Sequence, residues 1–195
     1  MARAKEFDEH AVIESAMKVF WELGYDGASM EELLSATGLS RSSLYESFGD
    51  KRSLFLRTVA AYTARSGDLR RAAFNDPDGL RVGLARYLRS RVEALANSGD
   101  RPAGCYVTMI SASLKTADQE LRDIVARYTA EAEREIHAGF SRALDAGVIQ
   151  GRLTADEWSN LFLALTWGLN VAARMGRPRA TLDAMVNGFL ACLGE

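Results

Sequence analysis

The chain has 195 residues, 48% of them hydrophobic, and a net charge of −2. That length is enough to bury a real core in one or two domains, and the charge excludes a molecule that holds nucleic acid simply by being basic. Cys105 and Cys192 are too few for a disulfide framework and have no CxxC or histidine-rich spacing for a metal, so neither metal nor cofactor is expected.

The opening residues, Met-Ala-Arg-Ala-Lys-Glu, hold no apolar signal segment. The greasiest run, 161–175, is shorter than the roughly 20 residues of a membrane span and contains Asn170 and Arg174. The sequence therefore predicts a cytoplasmic protein with no membrane partner. Alternating β-branched runs are absent, which predicts an all-α chain.

The first helix is expected over 8–23, where Ile13, Ala16, Met17, Phe20 and Leu23 recur at three- and four-residue steps and Gly24 provides the stop. A second opens at Ser29, where Glu32 completes a capping box, and closes at Thr37-Gly38. Ser40 caps a third, 41–48. Two short helices joined by a tight glycine-containing turn are the helix-turn-helix signature. Gly49-Asp50 breaks the chain before a fourth helix, 51–73, with the stripe Leu54, Phe55, Thr58, Val59 and Tyr62. Its far end, near Leu69 and Phe74, is expected to abut the helices that follow. The turn cluster 74–79 precedes helices at 80–97 and 105–115. Thr116 with Gln119 then forms a box opening 117–145, and Thr154 with Glu157 opens 155–175. A last helix covers 180–193, which makes about nine.

The third helix is where chemistry is concentrated. At about 100° per residue, Leu44 and Phe48 point inward together, while Ser42, Ser43, Tyr45 and Glu46 point away. Small hydroxyls and a tyrosine suit a major groove, where they can reach phosphates or base edges. Lys51, with the free amides at the start of the fourth helix, makes a phosphate site. Charge gives no support, because residues 1–66 hold eight Lys or Arg against ten Asp or Glu.

The stretch 12–59 resembles the DNA-binding domain of the TetR family of bacterial repressors. The resemblance is carried by Ala16, Phe20, Gly24-Tyr25, Ser29-Met30-Glu31-Glu32-Leu33, Gly38-Leu39-Ser40, Ser43-Leu44-Tyr45, Phe48, Lys51, Leu54 and Phe55. It implies a helix-turn-helix DNA-binding domain over 1–50, a connecting helix over 51–73, and a ligand-binding and dimerisation domain over 74–195. It further implies a homodimeric repressor on a palindromic operator in double-stranded DNA, released by a small-molecule effector. Tyr45 and Lys51 would contact phosphate, Arg41, Ser42, Ser43 and Glu46 would lie over base edges, and the capping serines Ser29 and Ser40 would join the DNA face. Glu46 departs from the neutral or aromatic residues more usual at its position. It either accepts from a cytosine amino group or is a solvated carboxylate.

Elsewhere two readings stand side by side. Cys105, at a helix start that favours thiolate, is a redox or electrophile sensor or a small buried hydrophobe. Cys192 reads as core or interface. His10 reads as a solvated first-turn residue, and His137 as a pocket-lining or polar surface residue. Tyr106, Met109, Phe140 and Trp167 are candidates for lining an effector pocket among many large apolar side chains. Leu161, Phe162, Leu165 and Leu169 on one helix, and Leu182, Met185, Val186 and Phe189 on the next, form either an intermolecular four-helix bundle or an intrachain core, and the resemblance favours the dimer. No catalytic constellation is found, so no enzyme is expected. The alternative to a DNA-binding regulator is a helical adaptor that keeps the fold without binding DNA.

Overall fold

A computed structural model describes residues 7–97, 104–113, 119–149 and 153–194. Every regular element among them is a helix: α1 Glu9–Gly27, α2 Met30–Thr37, α3 Arg41–Phe48, α4 Lys51–Phe74, α5 Leu80–Ala96, α6 Tyr106–Ser113, α7 Gln119–Asp145, α8 Ala155–Arg174 and α9 Arg179–Cys192. No helix among the described residues is long and apolar enough to cross a membrane. The predicted box at Thr116 and Gln119 lies partly outside the described residues.

The caps behave as their side chains require. Ser29 and Glu32, and Thr154 and Glu157, each make both bonds of a capping box. Gly38 ends α2 at φ 69°, a left-handed conformation that a Cβ would strain. Gly24 is also left-handed, at φ 72°, yet it kinks α1 rather than ending it. Helical pairing resumes, and the Ala28 N–H bonds the Gly24 carbonyl.

The chain forms two compact units, residues 1–64 with 106–121, and residues 65–105 with 122–195. In the first, α1 packs on α2 and α6. Its interior holds Ala16, Met17, Phe20, Leu33, Leu44, Phe48, Leu54, Phe55 and Val59. Residues 106–113, expected with the C-terminal half, belong here because Tyr106 is fully buried among aromatic rings. Its ring centre lies 5.2 Å from that of Trp21 and 5.6 Å from that of Tyr62. The Thr58 hydroxyl gives its one proton to the Phe55 carbonyl at 2.7 Å. The 2.8 Å contact with Tyr106 is therefore the phenol donating to Thr58. This direction sets an order of costs. Thr58→Val strands a buried phenol proton and should destabilise by about 1–3 kcal/mol, whereas Tyr106→Phe should cost about 1 kcal/mol. The double variant should be milder than Thr58→Val alone. Urea titration of the three variants checks this, and equal, additive losses would refute the donor assignment.

The second unit is built by α5, α8 and α9 packing on one another, with α7 and the end of α4 contributing to its core. Phe74 sits edge-on to Phe140 and Phe162, at 5.2 and 5.7 Å, so the far end of α4 does meet these helices as expected. Leu69, by contrast, is 53% exposed. Two glycines allow close packing around this end of α4. A Cβ on Gly83 would fall 2.1 Å from the Ala73 carbonyl oxygen, and one on Gly139 would fall 2.2 Å from the Phe74 ring.

Candidate nucleic-acid interface

The turn between α2 and α3 is held by local bonds. The Gly38 N–H donates to the Leu34 carbonyl at 2.9 Å, and the Thr37 hydroxyl to the Leu33 carbonyl at 2.7 Å. The Ser40 hydroxyl then caps α3 by accepting from the Ser43 N–H at 3.1 Å. Leu44 and Phe48 anchor α3, both buried. The opposite face leaves Arg41, Ser42, Tyr45 and Glu46 exposed and Ser43 partly so. This is the face that the helical periodicity turns away from the core.

α3 ends at Gly49, whose N–H bonds the Tyr45 carbonyl. Asp50 then caps α4 by accepting the Ser53 N–H at 2.7 Å, a cap not singled out from the sequence although an Asp immediately before the first helical residue is its signal. Lys51 follows directly. Its ammonium stands 4.7 Å above the Tyr25 ring, a cation–π contact that holds the charge at the mouth of α4. Tyr25 is itself held by Phe20 and Phe55, at 6.2 and 5.0 Å. Tyr25 thus positions the lysine, a role that only the folded arrangement reveals. Ser29 lies at the start of α2, where its hydroxyl is engaged in the capping box.

The Ser29 amide, and next its hydroxyl, hold the Glu32 carboxyl below the ordinary carboxylate range, and the charge of Lys51 adds to this. A lowered pKa stabilises the folded state above the ordinary value of about 4.3, and the contribution is lost as pH falls through the folded value. Glu32→Gln keeps the capping geometry without the titration. Its unfolding midpoint should therefore fall less steeply than that of the wild type below about pH 4.3. Parallel acid slopes would show that the box makes no such contribution.

The other sequence candidates fall in both units. Tyr106 is in the first unit, bonded to Thr58, and Phe140 is stacked on Trp158 inside the second. Met109 is partly buried, and Trp167 is 54% exposed on α8. Phe162, Leu169, Leu182, Val186 and Phe189, expected at the dimer interface, instead fill the core of their own unit, because the stripe that repeats along each helix is the one its own neighbours cover. Leu165 and Met185 pack at the edge of that core, and Leu161 is 46% exposed. Cys105 is partly buried, while Cys192 is exposed. His137 lies on the surface, 3.3 Å from an Asp156 carboxylate oxygen. Among the described residues no three His, Cys, Asp or Glu side chains cluster as metal ligands would.

A short helix anchored by two apolar residues, offering hydroxyls, a phenol and charge on its free face beside a positioned lysine, defines a helix-turn-helix DNA-binding module. Residues 12–58 match the family model for bacterial regulatory proteins of the tetR family. The helix-turn-helix-type transcriptional regulator YezE of Bacillus subtilis (strain 168) is 31% identical over 192 residues, which span 96% of this chain and 98% of that protein. The transcriptional repressor ComR of Escherichia coli (strain K12) is 28% identical, over 89% of this chain and 83% of its own length. Among solved structures, a cysteine mutant of the TetR family regulator CifR, complexed with 26-bp double-strand operator DNA, superimposes with a TM-score of 0.81. It is 29% identical, over 97% of this chain and 98% of that one. The chain belongs to the tetR family of bacterial transcriptional regulators, a family of DNA-binding proteins rather than enzymes.

Proposed function

We propose that this protein is a cytoplasmic, non-enzymatic repressor that grips a palindromic operator as a homodimer and is released by a small-molecule effector. The observation that carries the reading is the free face of α3, Arg41, Ser42, Ser43, Tyr45 and Glu46, beside the Lys51 ammonium. α3 enters the major groove, Tyr45 and Lys51 hold phosphate, and the remaining side chains read base edges. Relatives named as repressors and the operator-bound CifR structure support this.

α8 supports the second copy. Its buried residues Trp158, Phe162 and Leu169 lie on one side. Leu161, Trp167 and Val171 are 46–58% exposed, and at about 100° per residue they fall on the other side. A helix apolar on both faces is covered on both. A second copy of the chain is the occupant that gives a two-fold operator its matching protein. Residues 1–50 bind DNA, 51–73 connect, and 74–195 supply the effector and dimer functions, with 106–113 packed into the DNA-binding unit.

Selection of bound fragments from a random DNA pool should return an inverted repeat, with half-sites about 34–36 Å apart on one side of the duplex. Lys51→Ala should weaken binding to all sequences alike and lower the slope of log affinity against log salt by about one. Protection of a single half-site, or an unchanged slope, would overturn the reading.

A further inference from the structure

The face of α3 contains a hydroxyl triad. The Ser40 Oγ lies 3.0 Å from the Ser42 Oγ and 2.8 Å from the Ser43 Oγ, besides capping the Ser43 N–H at 3.1 Å. A serine hydroxyl has one proton and two lone pairs. The Ser43 amide occupies one lone pair of Ser40, which leaves one lone pair and one proton for the two neighbouring hydroxyls. Ser40 therefore accepts from one of them and donates to the other, and its capacity is then full. The two O–H···O bonds consume two of the triad's three hydroxyl protons, so one proton remains for anything outside.

Resting on the reading of α3 as the groove helix, we propose that Ser40 is a positioning residue for sequence recognition: it limits Ser42 and Ser43 to a single hydrogen-bond donor between them. Its own side chain then has nothing left for DNA, in place of the direct contact that the resemblance implied. One of the two serines can meet an acceptor such as guanine N7 or O6, or thymine O4. The other can only accept, and so meets a cytosine or adenine amino group. A site demanding that both donate is rejected, because a base acceptor would be left unpaired.

The numbers of free protons are set by residue 40, and this makes the proposal testable. Ser40→Thr keeps one. Ser40→Gly keeps most of the capping, since glycine is a tolerated N-cap, and frees both neighbouring protons. Ser40→Asp keeps the cap and, as a pure acceptor, takes both. Each variant, with Ser42→Ala and Ser43→Ala, is put through random-pool selection, with thermal melting to establish folding. The expected result is that Ser40→Thr selects the wild-type operator. Ser40→Gly and Ser40→Asp should change base preference about fivefold, the worth of one hydrogen bond, at the base pairs moved by Ser42→Ala and Ser43→Ala and nowhere else. Ser40→Asp should also bind all sequences more weakly, by charge repulsion. If the Ser42 and Ser43 variants shift preference while the Ser40 variants keep the wild-type operator, the proposal fails and α3 remains the reading helix. If none of the variants shifts preference, both fail.

Discussion

Replacing Glu135 by leucine is expected to destabilise the second unit by about 3–5 kcal/mol. Arg70 on α4 has a side chain only 5% exposed. Its Nε and Nη2 reach one oxygen of Glu135 on α7, at 2.8 and 2.6 Å, while Arg71 Nη1 takes the other at 2.7 Å. Its guanidinium also stands over the Tyr128 ring, at 5.8 Å. Burial alone would raise the Glu135 carboxyl, but the hydrogen bonds and charges of Arg71 and Arg70 outweigh it and hold it below the ordinary range. Leucine would leave the Arg70 charge desolvated with its carboxylate gone. Arg71 would lose less, because its side chain is half exposed and Asp68 still holds it at 2.6 Å. The comparison that isolates the effect is Arg70→Met with Glu135→Leu, which removes both buried charges and should return close to wild-type stability. Urea unfolding of the two single variants and the double measures this. A Glu135→Leu loss below about 1 kcal/mol would mean the network behaves as a surface pair.

The second large effect is expected at Phe20. It is fully buried and sits edge-on to Phe55 at 5.0 Å, beneath the Tyr25 ring that carries Lys51. Phe20→Ala should cost about 3–5 kcal/mol from lost burial and the cavity left behind. That is comparable to the entire stability of a unit this small. DNA binding should therefore collapse, although Phe20 touches no DNA in this reading. The collapse has a signature that separates it from loss of a contact. Operator binds only the folded unit and restores it by mass action, so the variant should reach full occupancy at higher DNA concentration with an unchanged salt slope. Lys51→Ala, in contrast, should change the slope and leave stability nearly intact. A reduced slope for Phe20→Ala would place the ring in the interface itself.

Much of the first unit was legible in the chain because its signals are local. Ser29 with Glu32, Gly38 and Ser40 each fix a helix end through groups no more than a few residues apart. The bounds of α3 could be read before any packing was known. The outward face of α3 was legible too, since two buried anchors four residues apart leave only one direction for Ser42, Tyr45 and Glu46. Gly24 shows the limit of such reasoning. Its left-handed backbone was expected, but whether a helix resumes beyond it depends on how Tyr25 packs against Phe20 and Phe55.

The sequence by itself determined where most helices lie, the caps at Ser29, Ser40 and Thr154 and the face of α3 turned to solvent, because hydrogen bonds and periodicity within a helix depend on neighbours in the chain. Only the tertiary structure decided what covers each apolar stripe. Periodicity says that a face is apolar and is silent on whether its own chain or another buries it. For that reason periodicity left Phe162, Leu169, Leu182, Val186 and Phe189 open between interface and core, the resemblance favoured the interface, and the folded unit makes them core. Tyr106 read as pocket lining because its partners, Thr58 and Trp21, lie 48 and 85 residues away in the chain. A contact at that separation leaves no mark on local sequence, and only the packing of α6 brings the phenol to the Thr58 hydroxyl.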